Sequence, residues 1–385
     1  MPDFWQLPGP SRFLMSVTED LRRGSSVVVL FPELPPPDWM PALRQTAHQS
    51  NLGLALESFK VPSEGSPIRA LAEFFSPEHA TSVRTAMDLV RQPQLQGRGV
   101  VLQLHLPSHW PIWHNFLLEF ADVVRRSELR PCDRPVFLVP LFGELDGSVP
   151  QSEVAFRVHR WSNVVNRLDM QLWATTMLAG SPEPFWQRQL RVAIAVELAL
   201  WDTELCTQAC ALDLGQLIQP TTWLAAFACS CGWDLEVAGA TSLVGRTDQQ
   251  REYEGRPRNH SAWLALQGRV DVIERRVWQA QLTVLFPLLE NHRQELLSGN
   301  KSGWCVPWKT NYGFVERLED LELNHLADQL RSQRFIGNGQ RDLFDFVCWL
   351  RDIRNDLAHL VPVSSTRLLN DRFEPRFSRY LVGDD

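Results

Sequence analysis

The sequence predicts a chain that combines an α/β domain with all-α regions. Residues 1–165 alternate short apolar segments with longer amphipathic ones, which is typical of a mostly parallel sheet covered by helices on both faces. Residues 166–250 read as a helical extension, with a winged-helix arrangement as one alternative. Residues 261–385 carry apolar side chains at three- and four-residue spacing, which predicts a helical bundle.

Five strands are predicted at the apolar segments 26–31, 52–58, 100–105, 135–141 and 154–159. Helices are predicted between them over 38–48, 68–75, 77–90 and 112–127. Further along, helices are predicted over 184–205, 221–231, 261–297, 316–329, 342–359 and 364–369. We expect Pro287 to kink or divide the long helix. The polar segment 245–259 is the best candidate for a linker, and residues 337–339 for a turn before the next helix.

The segment GPSRF at 9–13, followed by RRG at 22–24 and VVVLF at 27–31, resembles the opening of STAND/AAA-type NTPase domains. Such a P-loop-like domain should continue with G-x4-GK-[ST], whose amides and lysine hold the phosphates. Here residues 31–38 read FPELPPPD, with no glycine, with Glu33 where phosphates belong, and with no lysine before Lys60. The resemblance therefore implies an inactive STAND-like scaffold without a phosphate loop. We expect no ATPase activity and no cofactor.

The most informative motif lies near the C-terminus, where Arg354 and Asn355 precede His359 in the segment WLRDIRNDLAHL. This R-x4-H pattern resembles the signature of the HEPN superfamily, which includes many metal-independent ribonucleases and toxins of bacterial defence systems. The apolar spacing around it predicts a helix with a broad buried face and the motif on its polar side. Histidine titrates near neutral pH, and arginine offers a rigid fork of donors to a phosphate.

The HEPN resemblance implies a catalytic set of Arg354, Asn355 and His359, with no metal. His359 would exchange a proton with a ribose 2′-hydroxyl, Arg354 would stabilise charge on the phosphate, and Asn355 would orient the phosphate or the histidine. On an ideal helix Arg354 and His359 point about 140° apart, so a site that uses both needs a helix break near Ala358 or two chains. We therefore expect a homodimer through the C-terminal bundle.

Two other functions stay open at this stage. The first is a non-catalytic adaptor that docks other components of a bacterial defence system through the N-terminal domain. The net charge of −7 favours the adaptor, because an acidic protein lacks a general surface for RNA. The region from Ser261 onward, with 16 basic and 17 acidic residues, also lacks a net positive charge. The second is a sensor that binds a nucleotide or another small molecule without hydrolysing it.

Composition limits the compartment and the use of metals. The chain begins without a signal peptide and has no apolar run that could span a bilayer, so we expect a cytoplasmic protein with no membrane contact. Seven cysteines fit a reducing compartment better than a disulfide framework. By residue type alone, a zinc site could be formed by Cys206/Cys210 and Cys229/Cys231, but buried free thiols are the better interpretation.

Overall fold

The computed structural model describes residues 3–32, 35–50, 54–104, 107–143, 150–152, 156–235, 248–299, 303–311, 313–332 and 338–379. The chain divides into two compact units. One consists of residues 2–169 and 237–259, and the other of residues 170–236 and 260–385 together with residue 1. Most of the predicted helical extension and the predicted C-terminal bundle thus belong to one compact unit.

The first unit contains a five-stranded sheet in which every neighbouring pair is parallel. Its elements are α1 (Pro8–Arg22), β1 (Ser26–Leu30), α2 (Trp39–Gln49), β2 (Ala55–Lys60), α3 (Pro67–Phe75), α4 (Ala86–Val90), β3 (Arg98–Gln103), α5 (Trp110–Arg126), β4 (Val136–Leu141) and β5 (Phe156–Arg160). The strand order is β2-β3-β4-β1-β5. The predicted mixed α/β class with a parallel sheet is confirmed.

Helices cover both faces of this sheet. Val28 and Leu30 of β1 belong to one core cluster with side chains of α3, α4 and α5. The intervening residues of β1 point to the opposite face, because side chains alternate along a strand. There α1 contacts both β1 and α2. Every residue of β1 is buried, which explains why the strand is apolar without alternation.

Gly9, near the start of α1, packs closely against residues 164–169. Its amide donates to Asp169 Oδ1 at 2.8 Å, at the start of α1, where helix amides lack partners. A Cβ built on Gly9 would lie 2.0 Å from the carbonyl oxygen of Val164. Asp169 is fully buried, and its other oxygen accepts from the amide of Asn166 at 2.9 Å. Glycine is therefore required here by close packing against residues 164–169.

The second unit is dominated by helices. They are α6 (Arg167–Met177, which spans the boundary), α7 (Phe185–Ala199), α8 (Thr203–Ala211), α9 (Leu214–Ile218), α10 (Thr221–Ser230), α11 (Ser261–Leu266), α12 (Val270–Gly299), α13 (Leu323–Ser332), α14 (Asn338–Ala358), α15 (Ser365–Leu368) and α16 (Glu374–Arg379). A hairpin of β8 (Trp308–Thr310) and β9 (Gly313–Val315) lies between α12 and α13. The long helix α12 packs along α7 and also contacts α14.

Several predicted elements are wrong in detail. Residues 77–90 do not form one helix, because the capping box of Thr85 and Asp88 starts α4 at Ala86. Part of the predicted linker forms an antiparallel hairpin, β6 (Gln250–Tyr253) with β7 (Arg256–Asn259). The predicted helix 184–205 breaks at Leu200, whose φ of 57° is left-handed. Pro287 does not divide the long helix, which continues through it.

The C-terminal predictions need two further corrections. The helix predicted over 316–329 begins only at Leu323, after an irregular stretch. Asn338 and Gly339 lie inside α14 rather than in a turn before it, while Gly337 is outside the described residues. In the part of the chain that the structure describes, no helix is both long enough and apolar enough to cross a membrane.

Candidate functional site

The helix that carries the motif, α14, has one broad apolar face. Its buried residues are Phe346, Val347, Trp349, Leu350, Ile353 and Leu357. They pack against α13 and α12, and the indole of Trp278 on α12 donates to the carbonyl oxygen of Leu357 at 2.7 Å. Arg354 and Asn355 are half-buried on the other side. The side chain of His359 is exposed just beyond the helix end.

The helix ends at the motif histidine through a specific backbone arrangement. The amide of Leu360 donates to the carbonyl of Leu357 at 3.3 Å, and that of Val361 donates to the carbonyl of Asp356 at 3.0 Å. These two bonds form a Schellman motif, with Leu360 in the left-handed conformation at φ 61°. His359 is the last residue before that reversal, and its own amide still bonds to Asn355 at 3.0 Å. The helix therefore breaks directly after Ala358.

Arg354 is engaged by an acidic residue of the same unit. Its Nη2 lies 3.2 Å from Oε2 of Glu322, just before α13, and its side chain is 37% exposed. The pair borders a groove of about 450 Å³ that also contains Glu290, Glu319, Asp320 and Arg293. Four carboxylates thus face two guanidinium groups. The surroundings of Arg354 are acidic, which does not favour an RNA phosphate in a single chain.

Arg293 forms several hydrogen bonds with other residues around this groove. It donates to Glu290 at 2.5 Å and to the carbonyl oxygens of Glu319 and Leu321 at 2.9 and 2.7 Å. Its hydrogen bond lowers the pKa of Glu290, so that carboxylate is ionised at neutral pH. Arg293 is therefore used by protein groups and adds no unpaired positive charge for a ligand.

The three motif residues are close in sequence but do not form one assembled site. Among the described residues, no hydrogen bond or ion pair joins the side chains of Arg354, Asn355 and His359. Because His359 still follows the helical path, its side chain starts about 140° from that of Arg354. Two nearby arginines are also neutralised: Arg351 pairs with Asp352, and Arg367 with Asp356. A site using both Arg354 and His359 needs a second chain.

At the end of β1, where a phosphate loop would lie, the structure places aromatic side chains. Phe31 is fully buried and packs on Trp39 and Trp161, with ring centroids 5.1 and 6.0 Å apart. Asp38, before α2, is left-handed at φ 59°, and the third residue of that helix is Pro41, which has no N–H. The described part of this turn thus offers few amides to a phosphate. Glu33 lies outside the described residues.

Two buried histidines lie beside acidic side chains, which the sequence analysis did not predict. His260 is 1% exposed, with Nε2 3.2 Å from Asp202 Oδ2 and with Trp233 edge-on at 5.0 Å. Burial is the largest single effect and raises the pKa of Asp202, but the hydrogen bond and charge of His260 and the amides of Leu205 and Glu204 together outweigh it, so the pKa is lowered. His292 lies 3.5 Å from Glu295 on α12. The spacing of three residues between His292 and Glu295 on a long helix is the sequence signal that could have indicated this contact.

No family model, curated protein or solved structure matches this chain. The HEPN and STAND resemblances therefore stay expectations that rest on the motif and on the strand pattern. Within the described ranges, no group of three or more His, Cys, Asp or Glu side chains is placed to hold a metal ion. Cys206 and Cys210 are buried free thiols one helical turn apart on α8, as predicted, whereas Cys229 and Cys231 are exposed, so the prediction of burial is wrong for the second pair.

Proposed function

We propose that this protein is a HEPN-like, metal-independent endoribonuclease of a bacterial antiviral or conflict system, with its site completed by two copies of the chain. The observation that carries the proposal is the position of the motif. His359 is exposed at the broken end of a helix whose other face is buried, so it is accessible to a partner and to RNA. Arg354 is half-buried about 140° away around the helix, so the Arg354 of a second copy would have to meet this His359. The inactive STAND-like domain would act as a scaffold.

The proposed chemistry uses only side chains of the motif. His359 would accept the proton of a ribose 2′-hydroxyl as that oxygen attacks the adjacent phosphate. The bond between phosphorus and the 5′-oxygen breaks, and that oxygen takes a proton from solvent, giving a 2′,3′-cyclic phosphate and a 5′-hydroxyl end. Arg354 of the other copy would stabilise the charge that develops on the phosphate, once it is released from Glu322. Asn355 would orient the phosphate or the imidazole.

The direct test is RNA cleavage by the purified full chain in EDTA. We expect cleavage that leaves cyclic phosphate ends, and His359→Ala should lower its rate by about 10²–10⁴-fold. Because His359 is exposed, this variant should unfold at nearly the same denaturant concentration as the wild type. The fully buried Leu350 provides the contrast, since Leu350→Ala should cost about 2–5 kcal/mol of stability. If wild-type protein shows no EDTA-resistant cleavage, the nuclease proposal is wrong.

A second candidate function is a non-catalytic adaptor, and the acidic groove favours it. Glu322 neutralises Arg354, and three further carboxylates border that groove, so the groove beside Arg354 offers no basic surface for RNA. The aromatic packing after β1 also suits a scaffold better than a nucleotide-driven switch. An adaptor predicts no cleavage by the wild type, and His359→Ala should leave the capture of partner proteins unchanged.

A further inference from the structure

A separate cavity of about 320 Å³ lies among α12, α14 and α16, away from the motif residues. Its apolar walls are Leu296, Trp304, Leu343 and Phe346. The indole of Trp304 is held in place by a 2.9 Å hydrogen bond to the carbonyl oxygen of Leu296. Apolar walls with a few polar groups at the edge are the usual form of a small-molecule site, and this volume is at the small end of that class.

One carboxylate oxygen at this cavity lacks a partner. Oε2 of Glu295 is inaccessible to solvent and has no hydrogen-bond partner among the described residues. It lies 3.5 Å from Nδ1 of His292, which is beyond a good hydrogen bond. His292 is itself 3% exposed, and burial lowers its pKa to about 4, so it is neutral at pH 7 and gives no ion pair. Glu295 nevertheless borders the cavity and its side chain is 40% exposed, so part of this carboxylate group is open to an N–H donor of a ligand.

Arg376 supplies a positive charge at the same cavity. The guanidinium of Arg376 sits 4.3 Å above the ring of Phe346 and borders the cavity. Within the described residues it forms no ion pair, and its charge acts on His292. Glu295 and Arg376 do not approach within ion-pair distance of each other, although both flank His292. The cavity is therefore bordered by a carboxylate and a guanidinium group that do not pair with each other.

We propose that this cavity binds a free apolar α-amino acid. The ammonium group would donate to Glu295, the carboxylate would bind the fork of Arg376, and the side chain would lie against Leu296 and Leu343. A zwitterion matches the two separated charges without leaving either unpaired. This inference does not depend on the nuclease proposal, because it uses no motif residue.

Calorimetry with the full chain and three probes tests it: L-phenylalanine, 3-phenylpropionate, which lacks the ammonium group, and 2-phenylethylamine, which lacks the carboxylate. We expect L-phenylalanine to bind with a Kd on the order of 10 µM to 1 mM. Each truncated probe should bind about 10- to 100-fold more weakly, because each leaves one charged hydrogen-bond partner unused. Equal affinity for all three probes, or no binding of L-phenylalanine at about 10 mM, would overturn the proposal.

Two variants assign the contacts. Glu295→Met should remove the advantage of L-phenylalanine over 3-phenylpropionate, and Arg376→Met its advantage over 2-phenylethylamine. Glu319→Met and Arg331→Met are matched controls, since Glu319 is exposed elsewhere in the unit and Arg331 also lies over a phenyl ring, at 5.8 Å. Unchanged binding in Glu295→Met and Arg376→Met would contradict the assignment. If either variant fails to fold, the comparison of probes on the wild type still decides.

Discussion

Acid should destabilise this protein through one buried histidine. Burial lowers the pKa of His292 to about 4 from an ordinary 6.5, and the charge of Arg376 acts in the same direction, while a hydrogen bond with the Phe377 backbone opposes it. Between these two pH values the unfolded chain binds a proton that the folded chain excludes. Stability is therefore complete above pH 6.5 and is lost as the pH falls towards 4. The difference corresponds to about 3 kcal/mol in the free energy of unfolding.

His292→Phe isolates this contribution. A phenyl ring can keep the stacking on Phe377, where the centroids are 4.7 Å apart, but it cannot titrate. Urea unfolding of both proteins between pH 7 and pH 4 should show the wild type losing about 3 kcal/mol more than the variant, with the loss levelling off below pH 4. A difference between the two proteins that stays constant across this range would refute the buried, neutral state of His292.

Three further predictions concern stability. Leu360→Gly should stabilise the chain by about 0.5–1 kcal/mol in urea unfolding, because relief of the left-handed strain outweighs the backbone entropy of glycine; a loss of stability would contradict the Schellman ending. Asp202→Asn should cost about 1–3 kcal/mol at pH 7, and the deficit should shrink below about pH 4, where the lowered pKa of Asp202 ceases to help; a deficit independent of pH would remove the role of its charge towards His260. Phe31→Ala should cost about 3–5 kcal/mol, whereas a residue lining an open cleft would cost far less.

The sheet was predictable from the sequence because its three inner strands, β1, β3 and β4, contain apolar runs, whereas the edge strands β2 and β5 are partly polar. The bounds of the strands were predicted less well: β2 occupies Ala55–Lys60, whereas the apolar pattern predicts 52–58. The start of α4 carried a readable signal in the Thr85–Asp88 capping box. By contrast, the persistence of α12 through Pro287 depends on its packing along α7, which no local pattern reveals.

The candidate site was likewise only partly predictable from the sequence. Helical spacing alone placed the motif on the polar side of α14. The end of that helix was predicted within one residue, at 359 against Ala358, but its Schellman geometry was not predicted, because Leu360 rather than glycine takes the left-handed position. The pairing of Arg354 with Glu322 joins residues 32 apart and follows from the packing of α13 on α14. The cavity at Glu295 and Arg376 likewise arises from three separate helices.

The central claim is that Arg354 of one copy works with His359 of another. Arg354→Ala and His359→Ala should each be inactive in RNA cleavage. When equal amounts are mixed and allowed to exchange subunits, half of the dimers contain both variants, and each of these keeps one intact site. The mixture should therefore recover roughly a quarter of wild-type activity. If the mixture stays as inactive as either variant alone while mixed dimers form, the shared site does not exist.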